Sequence, residues 1–107
     1  MKEIEILNKI RENTIKNKLT WYIYRQSHSS IFYVSFLQIT PLKRLNITFN
    51  YYVPGNSCFM SIKLVNKRVS QKIFSYYQKE KLSRLYNTIK TSLPRNLPEI
   101  LRHKVNI

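Results

Sequence analysis

The chain has 107 residues, with 19 Lys or Arg against 5 acidic residues, a formal net charge of +14, and a single Gly. One glycine excludes a P-loop, a dinucleotide-binding fingerprint, a nucleophile elbow and a GXXG clamp, each of which needs at least two. The absence of Asp and the scarcity of Glu leave few carboxylates for acid–base or hard-metal chemistry, while a 43% apolar share excludes wholesale disorder.

Residues 2–16 are predicted to be helical. Ile4, Leu7, Ile10 or Arg11, and Thr14 recur at helical spacing, Glu5 and Lys9 form an i,i+4 pair, and Asn17 suits the C-terminal cap. Residues 19–24 alternate in period two and are aromatic and β-branched, which predicts a strand followed by a turn at His28, Ser29 and Ser30. Residues 31–39 form a mostly apolar second strand, ended by Pro41, with Lys43 and Arg44 at the turn. In residues 45–53, Leu45, Ile47, Phe49, Tyr51 and Val53 alternate with Asn46, Thr48, Asn50 and Tyr52, as a strand with one wet face should.

Residues 54–57 supply a turn through Pro54 and Gly55. The return strand over 58–65 puts Met60, Ile62 and Leu64 on one face and Phe59, Ser61 and Lys63 on the other. Residues 69–77 read either as a fifth short strand or as the approach to the next helix. That helix spans 79–92, with Leu82, Leu85, Tyr86, Ile89 and Leu93 on one arc, and Pro94 stops it. Pro98 suits the first turn of a short terminal helix carrying Ile100 and Leu101.

Strands grouped between helices predict a two-layer α+β domain. Its parts are an N-terminal helix, an antiparallel meander of four or five strands, and a C-terminal helix plus the short terminal one. Both main helices cover one face. No repeat or linker divides residues 1–107, so a single domain is expected.

Glu3, Glu5 and Glu12 interrupt any apolar run at the N-terminus, which argues against a signal or transit peptide. The longest mostly apolar stretch, 31–39, is far too short to span a membrane. One Cys cannot form an internal disulfide, consistent with a reducing compartment. The expected location is cytoplasmic. The Lys, Ile and Asn bias suggests an AT-rich genome, such as that of a bacterium, phage or plasmid; for a phage protein the location would be the host cytoplasm.

Catalytic candidates are few. Cys58 falls on the Met60 and Ile62 face, where a Cys is usually a small buried hydrophobe. His28 lies in a Ser-rich loop and His103 near the C-terminus. No Cys or His pair has zinc-ligand spacing, and Glu80 and Glu99 each stand alone. A non-enzyme with no cofactor and no metal is expected.

The charge is unevenly placed. Residues 1–12 are neutral, whereas residues 13–79 contain ten Lys or Arg and no acid. Such a surface attracts polyanions. If Leu19, Trp21 and Ile23 face the helices, then Thr20, Tyr22 and Tyr24 face away, together with Asn46, Thr48, Asn50, Tyr52, Phe59, Ser61 and Lys63. Arg25, Lys43, Arg44, Lys67, Arg68 and Lys72 would rim this open face. The acid-free segment from Lys63 to Lys72 is placed beside the tyrosines.

Aromatic platforms rimmed by cations bind single-stranded nucleic acid. The predicted nucleic-acid-binding set is therefore Tyr22, Tyr24, Arg25, Lys43, Arg44, Tyr52, Lys63, Lys67, Arg68 and Lys72. A plain sheet surface and a homodimer through the same face are the competing uses of these residues. The expected function is a non-catalytic module for RNA or single-stranded DNA. The alternative is a phage or mobile-element inhibitor or adaptor of the anti-defence type, binding an acidic face of a host protein or protein–RNA complex. No membrane partner is expected, because neither helix joins a strong apolar face to a coherent basic one.

Overall fold

The period-two segments of the sequence assemble into one sheet whose two sides differ in chemistry. The computed structural model describes residues 3–67, 69–76 and 79–105. Its elements are α1 (Glu3–Ile15), β1 (Tyr22–Gln26), β2 (Ser30–Thr40), β3 (Lys43–Tyr52), β4 (Ser57–Asn66), β5 (Val69–Tyr76), α2 (Lys79–Thr91), β6 (Arg95–Asn96) and α3 (Arg102–Val105). Single 3₁₀ turns occur at Pro54–Asn56 and Glu99–Leu101. The strand order is β5-β4-β3-β2-β1-β6. Every neighbouring pair is antiparallel except β1 with β6, which is parallel.

The α+β class holds, with six strands in place of four or five. The ambiguous segment is a strand, β5, paired with β4 from Asn66↔Val69 to Met60↔Tyr76; residue 77 lies outside the described residues. β6 is only two residues long, too short to show any periodicity in the sequence.

α1 and α2 cover one face of the sheet. Leu7 and Ile10 of α1 and Leu82, Leu85 and Ile89 of α2 meet Trp21, Tyr33, Ile47, Phe49, Cys58, Met60 and Ile62 in a continuous core. Thr14 is only 1% exposed. Its Oγ1 donates to the Ile10 carbonyl and accepts from the Trp21 indole Nε1 at 2.9 Å, which ties α1 to the start of the sheet. Tyr86 of α2 stacks on Tyr51 with centroids 4.0 Å apart and planes 6° from parallel.

The helix ends follow from their sequences, with two adjustments. Asn17 takes φ 58°, the left-handed conformation of a C-terminal cap. The i,i+4 pair that closes near this end is Glu12–Lys16 at 3.0 Å. α2 ends at Thr91, and Leu93 leaves the apolar arc with φ 57° and 82% exposure. Leu93 takes the left-handed conformation of a C-terminal cap, its amide donating to the Lys90 carbonyl at 3.3 Å, and Pro94 keeps the helix from continuing beyond it.

The expectation of a fully open second face is corrected. Paired residues share a face, so the row Tyr22–Val34–Thr48–Ser61 lies opposite the helices, as predicted. After β6, however, the Leu97 amide donates to the Ile23 carbonyl and the chain passes round the sheet edge. Asn46 Nδ2 (2.7 Å) and Arg44 Nη2 (3.2 Å) both donate to the Lys104 carbonyl. The Arg102 guanidinium lies 5.4 Å from the Tyr24 ring centroid and Lys104 Nζ 5.7 Å from that of Phe36. The C-terminal segment is therefore a partial third layer over β1 to β3.

This layer explains why Asn46, predicted to face solvent, is only 4% exposed. Its amide oxygen also accepts from Arg44 Nε at 3.0 Å, so both polar atoms of the buried amide have a partner. Ser61 is buried as well and shares a 2.7 Å hydrogen bond with Thr48. Among the described residues no helix is long and apolar enough to cross a membrane.

Candidate nucleic-acid interface

The second face of the sheet divides into two ends. At one end a bulge shapes the site. Ile23 pairs with Tyr33 but Arg25 pairs with Phe32, so Tyr24 is an extra residue in β1. A bulge re-aims side chains, and here three groups converge. The Tyr24 and Phe32 rings lie 5.3 Å apart, and the Arg25 guanidinium sits 5.5 Å and 5.6 Å from their centroids. Phe32 pairs with Asn50, and Asn50 with Phe59, which carries the row across β3 and β4.

Beside this cluster is a cleft of about 580 Å³ lined by Arg25, Gln26, Ser27, Ser30, Phe32, Asn50 and Tyr52. Tyr52 is 41% exposed at its rim. The cleft thus offers aromatic faces, amide donors and acceptors, hydroxyls and a guanidinium, with no carboxylate. A planar heteroaromatic ring could stack there while an attached anion meets Arg25.

The other end is basic but differently organised than the sequence suggests. Lys43 pairs with Asn66, and the Lys67 amide donates to the Leu42 carbonyl, so the β2–β3 and β4–β5 turns abut. At about 3.3 Å of rise per residue, roughly 30 Å separates Lys43 from Tyr52 at the two ends of β3. The placement of Lys67 beside Tyr52 is thereby corrected: they lie at opposite ends of the sheet. Arg44 holds the C-terminal segment through its bonds to Asn46 and Lys104, and burial pushes its guanidinium pKa down from the ordinary value. Lys63 and Lys72 are direct cross-strand partners on the second face. Arg68 lies outside the described residues.

Tyr22 lies towards the β6 edge of the face, half-buried, with its ring 6.3 Å from that of Phe36. The structure therefore brings together Tyr24, Arg25 and Tyr52, keeps Tyr22 nearby beside Phe36, and sets the lysines apart. Phe32, Asn50 and Arg102 join the site although they were not among the predicted residues. Phe32 sits in an apolar run without alternation, so its side of the sheet could not be assigned. Alternation in the sequence puts Asn50 on the correct face. Arg102 reaches Tyr24 only through the path of the chain after β6.

A separate cleft of about 560 Å³ lies between the C-terminal halves of α1 and α2, near Arg11, Arg84, Asn87 and Thr88. There Arg11 Nε donates to Thr88 Oγ1 at 3.1 Å, and the helix ends present carbonyls, which disfavour anions. The remaining reactive groups are dispersed. Cys58 is buried in the core, and burial pushes its thiol up to about 11. His28 is exposed between β1 and β2, and His103 Nδ1 lies 2.9 Å from the Ile100 carbonyl. Glu99, expected to stand alone, pairs with Arg102 at 3.0 Å. No group of three or more His, Cys, Asp or Glu that could hold a metal occurs among the described residues.

No protein-family model, curated protein or solved structure matches the chain.

Proposed function

We propose that the protein is a non-catalytic module that binds single-stranded RNA or DNA on the second face of its sheet. One observation carries this reading. The cleft of Arg25, Phe32, Asn50 and Tyr52 combines stacking surfaces with a guanidinium, in a stretch of chain without one acid from residue 13 to residue 79. Bases would stack on Tyr52 and Phe32, Asn50 would meet base edges, and Arg25 would neutralise a phosphate. By helical spacing in the sequence, the Lys and Arg residues of α2 fall in no single stripe, which favours single strands over a helix set in the major groove.

The test is anisotropy of labelled single-stranded oligonucleotides with the wild type, Tyr52→Ala and Phe32→Ala. Each substitution should cost about 1–3 kcal/mol per stacked base, and log affinity should fall linearly with log salt. Unchanged affinity in both variants would remove the cleft from consideration.

A second reading, an inhibitor or adaptor for an acidic protein face, has one observation in its favour. The edge strand β5 exposes Val69 (72%) and Ile73 (51%) beside Lys72, a surface suited to an acidic partner. That contact would be insensitive to Tyr52→Ala. A homodimer through the sheet face is opposed by the net charge of +14 on each copy.

A further inference from the structure

The pairing of β4 with β5 contains an irregularity that places two lysines against each other. Ile62 pairs with Phe74, yet Lys63 pairs with Lys72, leaving Ile73 as an extra residue. In an unbroken ladder Lys63 would instead face Ile73. The bulge therefore delivers Lys72 to the same face as Lys63, with Cβ atoms about 4.5–5.5 Å apart. Like charges directly opposite each other destabilise a sheet. Neither lysine takes part in an ion pair among the described residues, whose ion pairs are Glu12–Lys16 and Glu99–Arg102.

Two cations paired on one face, in a stretch of chain without an acid, suit a shared anion. We infer that Lys63 and Lys72 form a clamp for a backbone phosphate of the nucleic acid whose bases occupy the Phe32–Tyr52 cleft. The inference rests on the proposed function and adds a second contact point with a defined spacing. Lys63 and Lys72 share a row with Phe36 and Asn46, beside the C-terminal layer. Asn50, at the cleft, is four positions along β3 from Asn46. With about 3.3 Å per residue and about 4.8 Å per strand, cleft and clamp are roughly 16 Å apart. About five nucleotides stacked at 3.4 Å would span that distance. A dinucleotide would not.

The experiment compares wild type with the Lys63→Gln, Lys72→Gln double variant in the full chain. The probes are an oligothymidylate of about ten nucleotides, a thymidine dinucleotide, and inorganic polyphosphate. The variant should bind the long oligonucleotide about tenfold more weakly, with a log–log salt slope shallower by about 0.7, the value for one lost phosphate contact on a single strand. Dinucleotide affinity should be unchanged. The midpoint of thermal unfolding should hold or rise, because the opposed cations are gone; a purely structural role would lower it. Wild-type slope and affinity in the variant would overturn the clamp and leave the cleft standing. A wild type that binds polyphosphate through these lysines but no oligonucleotide would sustain the clamp and overturn the proposed function. A wild type that binds none of the probes would overturn both.

Discussion

Burial sets the chemistry of individual side chains in this protein, and two buried acids make that measurable. Cys58 lies on the helix-facing side of β4, where desolvation pushes its thiol up to about 11 from an ordinary 9.0. Tyr33 of β2 packs into the same core, and desolvation, with a smaller contribution from Tyr86, pushes its phenol up to about 12 from 10.0. In both cases the fold holds the neutral form. The stability this contributes is complete below the unfolded values and is lost as pH rises through the folded ones. Thermal unfolding midpoints should therefore decline from about pH 9 towards pH 12. Tyr33→Phe, which removes one of the two titrations, should flatten the upper part of that decline. Superimposable alkaline limbs for wild type and variant would contradict this account.

Among the elements, α3 depends most on its neighbours. At four residues it is too short to be helical alone, so packing must hold it. Asn46 and Arg44 supply that hold by donating to a single carbonyl, that of Lys104. Replacing Asn46 with Ala should cost about 1 kcal/mol and speed amide exchange in residues 102–105 while leaving the helix-side core protected. Exchange in that segment equal to wild type would show that other contacts fix it. The result also bears on the binding face, because α3 carries Lys104 against Phe36 and follows the turn that brings Arg102 to Tyr24. β5 illustrates a different dependence. Its register against β4 shifts at Ile73, so the ladder and not the alternation of its own sequence decides which of its side chains shares a face with Lys63.

At the scale of the whole molecule, charge acts on stability and binding in opposite directions. A net charge of +14 on 107 residues repels itself in the compact state, and salt screens that repulsion. Raising NaCl from low to moderate concentration should raise the unfolding midpoint while weakening oligonucleotide affinity, as released counterions lose their advantage. Calorimetry and anisotropy on one salt series would check both. A midpoint that falls with salt would mean that the few ion pairs outweigh the general repulsion.

Several features of this architecture are determined by the sequence alone. Alternation in residues 45–53 and 58–65 assigns each side chain to a face, and the structure keeps Ile47, Phe49, Met60 and Ile62 on the helix side and Thr48, Asn50 and Lys63 on the other. Helical spacing identifies Leu7, Ile10, Leu82, Leu85 and Ile89 as core residues. The acid-free span is visible by inspection. These are local properties, carried by neighbours a few positions apart. Tertiary structure alone decides the rest. That Lys104 lies over Phe36 and Asn46 depends on where the chain goes after a two-residue strand. That Lys63 faces Lys72, and that Tyr24 gathers with Arg25 and Phe32, depends on bulges in β5 and β1. A bulge has no periodic signature, because it is the point at which the period breaks; which residues then share a row is fixed by hydrogen bonding between strands rather than by the order of residues within one.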